Sequence, residues 1–78
     1  MKLTLEQPGT YRICVSGRLN AAWADYFEEM VFSETSEPHG TILTTLTGDL
    51  PDQAAVQGVL QKLYNLGFPL ISVERVNR

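Results

Sequence analysis

The sequence predicts an α+β fold: a two-layer sandwich with helices on one face of a mainly antiparallel sheet. The arrangement expected is a ferredoxin-like split βαβ unit with a short first helix. Three observations carry this. Apolar and polar residues alternate over residues 10–16, and strand-type residues return over 70–76. Two further β-rich stretches flank a turn-forming loop near the middle of the chain. Helical spacing fills the two remaining intervals. The order is therefore strand, short helix, strand, strand, long helix, strand, which folds most simply into two layers. The first helix is short for a crossover, so a meander of the first three strands is the competing topology.

Residues 1–9 read as a leader or edge segment, because Leu3 and Leu5 alternate with polar neighbours until Pro8-Gly9 interrupts them. Residues 10–78 form the single expected domain. In the first strand Tyr11, Ile13 and Val15 alternate with Arg12, Cys14 and Ser16, which gives one apolar and one mixed face. Gly17 ends it. Asn20 is a suitable N-cap for the short helix, in which Trp23, Tyr26, Phe27 and Met30 recur at i, i+3, i+4 and i+7. That spacing predicts a core stripe, with the Tyr26 hydroxyl at the boundary with water.

Residues 30–35 return to strand character, and the Ser36-Glu37-Pro38-His39-Gly40 loop leads into threonine-rich residues 41–47. These two flanks are expected to pair as a hairpin. In the stretch TGDLPDQAAVQGVLQKL, Pro51 is placed in the first turn of the long helix, where its missing N–H costs nothing. Asp49 and Asp52 would complement the positive end of the helix dipole. Val56, Val59, Leu60 and Leu63 supply the buried stripe, and Gly58 within it predicts close packing of helix on sheet. Gly67 is positioned as a left-handed terminator, and Pro69 prevents continuation. The connection to the last strand should be a parallel crossover.

Composition bounds the function. Seventy-eight residues make one domain with a small core. Cys14 is the only cysteine, so no disulfide forms within the chain, and a reducing, cytoplasmic setting is expected. The N-terminus carries no apolar stretch of export length, and no run approaches a membrane span. The net charge of −3 disfavours nucleic acid. The mixed face of the first strand also lacks the aromatic residues that stack on RNA bases.

No catalytic constellation emerges. His39 is the only histidine and lies in the hairpin loop, so no base is placed beside Cys14, which reads as an inert thiol. Asp49, Asp52, Gln53 and Thr47 are explained by helix capping rather than by a cation cage. One glycine without a following lysine is no phosphate cradle. No metal and no cofactor are therefore expected.

The blocks YRICVSGRL, WADYFEEM and LTGDLPDQAAVQGVLQKLYNLGFPLISVERV together resemble a family of small uncharacterised bacterial proteins. The likeness spans about residues 11–76 and rests on the Tyr-Arg-Ile strand, the tryptophan-containing helix and the series from Leu-Thr-Gly to Ser-Val-Glu-Arg. It implies no established activity. Tyr26 stands where members often carry a second tryptophan, and Gln57 where they often carry histidine. Imidazole chemistry on the long helix is therefore not expected.

The function read from the sequence is a non-catalytic interaction module that associates with itself or with a protein partner. Its candidate contact residues are Arg12, Cys14, Tyr26 and Leu43. The alternative is a ligand-binding protein or enzyme with a pocket between the Trp23 helix and the sheet. Nucleic-acid binding is the weakest reading.

Overall fold

The computed structural model describes residues 9–27 and 30–76. Its elements are β1 (Gly9–Ser16), a 3-10 helix (Ala21–Phe27), β2 (Met30–Ser36), β3 (Ile42–Leu50), α1 (Gln53–Asn65) and β4 (Leu70–Val76). They build a small α+β domain with one four-stranded sheet in the order β2-β3-β1-β4. Every neighbouring pair is antiparallel. β3 thus stands between β1 and β2, which rules out the meander. β3 and β4 both run opposite to β1, so the connection through α1 joins parallel strands, as the sequence predicts.

Alternation in β1 sorts the two layers. Tyr11, Ile13 and Val15 are fully buried, and their partners across the sheet are Gly48, Leu46 and Thr44. From the other layer Val56, Val59 and Leu63 of α1 close onto this face, joined by Leu19, Phe27, Met30 and Leu50. At ~1.5–3 kcal/mol for each large apolar side chain, this cluster is the main favourable term in a domain of this size.

The hairpin joining β2 and β3 is present. Ser36 pairs with Ile42, and the N–H of Gly40 donates to the carbonyl of Glu37 at 2.8 Å. At the far end of α1, Gly67 takes φ 84°, the N–H of Gly67 donates to Tyr64 O and that of Phe68 to Leu63 O. This pattern closes the last helical carbonyls and turns the chain toward β4. Gly17, at φ 113°, needs glycine for a second reason: a Cβ there would meet the Phe68 ring at 3.2 Å.

Four expectations are corrected. The first helix is a 3-10 helix, not an α-helix. With three residues per turn, Trp23 and Tyr26 fall on one line and Phe27 points a third of a turn away. Of the three aromatic residues only Phe27 is buried, while Trp23 and Tyr26 are 38% and 40% exposed, and Met30, expected on the same stripe, opens β2 and is buried there. Second, Pro51 lies outside α1, although Asp52 caps it as expected, its carboxylate accepting from the N–H of Ala55 at 2.9 Å. Third, β3 runs on to Leu50, so Asp49 belongs to a strand and its carboxylate accepts the Thr10 hydroxyl rather than facing a helix end. Fourth, Gly58 is exposed, and a Cβ built there meets nothing within 4 Å. The helix turns it away from the sheet. The leader proposed for residues 1–9 lies outside the described residues except for Gly9, which opens β1.

Candidate functional site

The outer face of the sheet follows from the same alternation. Beside Cys14 lie Thr45 of β3 and Ser72 of β4, and Ser33 of β2 completes that row. The next row places Val31, Thr47, Arg12 and Glu74 together. Arg12 donates to the Glu74 carboxylate at 2.7 Å across the outermost strand pair. Leu43 sits opposite Ser16 and is half-buried. Three of the candidates, Arg12, Cys14 and Leu43, therefore share this face, which is mostly hydroxyl-bearing and carries an ion pair.

Tyr26 is not among them. It belongs to the helical layer, where its ring lies 5.6 Å from that of Trp23 and 5.2 Å from that of Phe27. The Lys62 ammonium stands 4.8 Å over the Tyr26 ring and donates to the Tyr26 carbonyl at 2.9 Å. This arrangement locks the 3-10 helix to α1 and leaves one edge of Trp23 in water.

A second surface was missed in the sequence. β4 is an outer strand of the sheet, and its apolar residues Leu70, Ile71 and Val73 are 52%, 54% and 38% exposed. α1 lies over the interior strands and leaves the core-facing side of β4 open. Between α1 and the turn that leads into β4 is a groove of about 360 Å³ lined by Leu60, Tyr64, Phe68 and Leu70 together with Gln57 and Gln61. Tyr64, at 77% exposure, stands up from its rim. The groove lies at the C-terminal half of α1, away from the Trp23 segment where the alternative reading places a pocket. The signal available in the sequence was Tyr64 and Leu60 flanking the buried stripe, next to an apolar strand with two faces to fill.

The other outer strand, β2, is built differently. Ser33, Glu34, Thr35 and Ser36 are exposed, and Glu34 projects from the core-facing side, where Arg18 pairs with it at 3.2 Å. A charge on the inward side of an outer strand blocks pairing with another chain. On β4 the core-facing residues are Val73 and, across from the buried Tyr11, Arg75, while Leu70 and Ile71 carry no charge.

Among the described residues no group of three histidine, cysteine, aspartate or glutamate side chains is close enough to hold a metal ion. His39 lies in the hairpin turn with its Nε2 at 3.6 Å from Glu37, remote in the fold from Cys14 on β1. No helix among the described residues is long and apolar enough to cross a membrane.

The fold and its surfaces define a small α+β domain of one antiparallel sheet backed by one α-helix, with exposed apolar residues on an outer strand. The family description Domain of unknown function (DUF8691) matches residues 10–74, and the chain belongs to that family. No curated protein and no solved structure matches it.

Proposed function

We propose that this protein is a non-catalytic interaction module that docks an extended segment of another polypeptide along β4. One observation carries the proposal: an outer strand with three exposed apolar residues runs beside the groove under α1. Addition of a strand to such an edge supplies backbone hydrogen bonds, while the groove selects side chains. Arg12 and Cys14, one strand inward, border this site on the outer face of the sheet. Leu43 and Tyr26 lie farther away and are secondary contacts in this reading.

The strand order supports a ferredoxin-like split βαβ arrangement in which the 3-10 helix takes the place of the first helix. A cytoplasmic, bacterial setting belongs to the same proposal. It is supported by the single unpaired thiol of Cys14 and by the likeness described above.

The test is affinity capture from native lysate with the full chain, run beside Tyr64→Glu and Val73→Lys. The reading expects a polypeptide retained by the unmodified chain and lost with both variants, each folded by circular dichroism. Equal capture by all three chains would move the interaction away from β4 and overturn it.

A further inference from the structure

We infer that the groove beside α1 receives one uncharged aromatic side chain of the docked polypeptide, tryptophan or tyrosine, whose ring N–H or O–H donates to the Gln61 carbonyl oxygen. This rests on the interaction-module reading and names the residue that a partner must carry.

The helix period builds the groove, and the turn after α1 holds it. Val56, Val59 and Leu63 are the buried stripe of α1. One residue on, about 100° round the helix, Gln57, Leu60, Gln61 and Tyr64 form a second stripe at i, i+3, i+4 and i+7. Phe68 stands against this stripe as the other wall. Its N–H donates to Leu63 O at 3.1 Å, and its ring lies where a Cβ on Gly17 would meet it at 3.2 Å. Backbone and ring of Phe68 are both seated, so the wall is already in place and little ordering is left to binding.

The lining sets the chemistry of the occupant. A volume of about 360 Å³ stands at the small end of the ~300–1,000 Å³ of ligand pockets, which suits one ring system rather than a longer ligand. Tyr64 and Phe68 are aromatic, and rings pack on rings in offset or edge-to-face contact. No lining residue carries a charge, so a charged side chain would be desolvated there without an opposite charge. The polar groups are neutral. Gln61 donates its amide N–H to Asn65 at 3.0 Å, which leaves its carbonyl oxygen to accept. A ring that bears a donor satisfies this oxygen, and phenylalanine does not.

The surroundings favour a residue within a chain over a free ring compound. Leu70 at the edge of the groove and Ile71 beyond it are 52% and 54% exposed. A single ring in the groove leaves both in water, whereas the residues flanking an aromatic side chain in a polypeptide cover them.

The probe is N-acetyl-tryptophanamide, titrated into the full chain and followed by the nuclear magnetic resonance shifts of the Gln61, Tyr64 and Phe68 backbone amides. A saturable shift at those positions is expected, with a dissociation constant of roughly 0.1–1 mM for a ligand of so few atoms. N-acetyl-phenylalaninamide should bind ~2–10-fold more weakly, as the loss of one neutral hydrogen bond requires. N-acetyl-lysinamide should leave the signals in place. Gln61→Leu should abolish the preference for tryptophan over phenylalanine, and Tyr64→Ala should weaken both. Both positions are exposed, and an unchanged circular dichroism spectrum shows that each variant is folded. No saturable shift with the tryptophan amide, equal binding of the lysine amide, or a preference that survives Gln61→Leu overturns the inference. If capture from lysate still depends on Tyr64 and Val73 in that case, the interaction-module reading stands and only the named residue falls. Saturable binding with capture indifferent to Tyr64→Glu overturns both, because the groove then serves a free ring compound.

Discussion

Replacing Thr44 with valine keeps a β-branched side chain of nearly the same shape and removes one hydroxyl. That hydroxyl is 2.7 Å from the carbonyl of Gly17, to which it donates, and accepts from the N–H of Leu19 at 3.1 Å. Thr44 is 1% exposed, so no water replaces it. The buried Leu19 N–H would lose its partner at ~1–3 kcal/mol, and the partly buried Gly17 carbonyl adds ~0.5–1.5 kcal/mol. The expected loss is about 2–4 kcal/mol, a large share of the ~4–12 kcal/mol typical of a domain this size. Thermal denaturation should show a fall of roughly 10–25 °C, at ~4–8 °C per kcal/mol. Thr44→Ser keeps both hydrogen bonds and loses one methyl group, so it should cost only ~1 kcal/mol. A valine variant as stable as the unmodified chain, or more stable than the serine variant, would refute the assignment of Thr44 as the tie between β3 and the exit of β1.

Three further outcomes are checked by urea denaturation. Gly58→Ala should stabilise by ~0.5–1 kcal/mol, because the added methyl group enters open space and the helix loses its most flexible residue; a loss of stability would place Gly58 against the sheet. Tyr11→Phe should be neutral or stabilising by up to ~1–2 kcal/mol, since the buried Tyr11 hydroxyl has no hydrogen-bond partner among the described residues; a loss above ~1 kcal/mol would mean that the hydroxyl is satisfied. Lys62→Gln should cost ~0.5–2 kcal/mol by removing the ammonium from above the Tyr26 ring and from its carbonyl, and an unchanged midpoint would show that the contact holds nothing.

The parts of the fold legible in the sequence are those set by local pattern. Alternation in residues 11–15 fixes which face of β1 is buried, and Pro38-His39-Gly40 places the hairpin. Gly67 and Pro69 mark the end of α1 in the same way. What failed depended on partners far along the chain. Gly48-Asp49-Leu50 looks like the approach to a helix, yet it pairs with Tyr11, Thr10 and Gly9 and stays extended. Thr44 looks like one threonine among several on a pleated surface, and only its position beneath the Gly17–Leu19 turn makes it core. The 3-10 winding of residues 21–27 shifts Trp23 out of the stripe that an α-helical period would bury. The candidate contact surface was half legible. Arg12 and Cys14 lie on the outer face of β1, as the alternation predicts, while the open side of β4 depends on where α1 comes to rest.

The position of β1 at the centre of the sheet has a consequence for biosynthesis. β1 leaves the ribosome before the other described strands, yet one of its edges waits for β3 and the other for β4, whose Val76 pairs with Thr10. The β2–β3 hairpin forms as soon as its own residues emerge, and β3 then covers one side of β1. The second side stays bare until residues 70–76 clear the exit tunnel, so the nascent chain presents β1, with its apolar face of Tyr11, Ile13 and Val15, as an outer edge. Chain closure between residues so far apart is slow compared with local helix or hairpin formation. The last seven residues of the described fold thus act as a timing element: translation must pass them before Tyr11, Ile13 and Val15 are sealed from both sides.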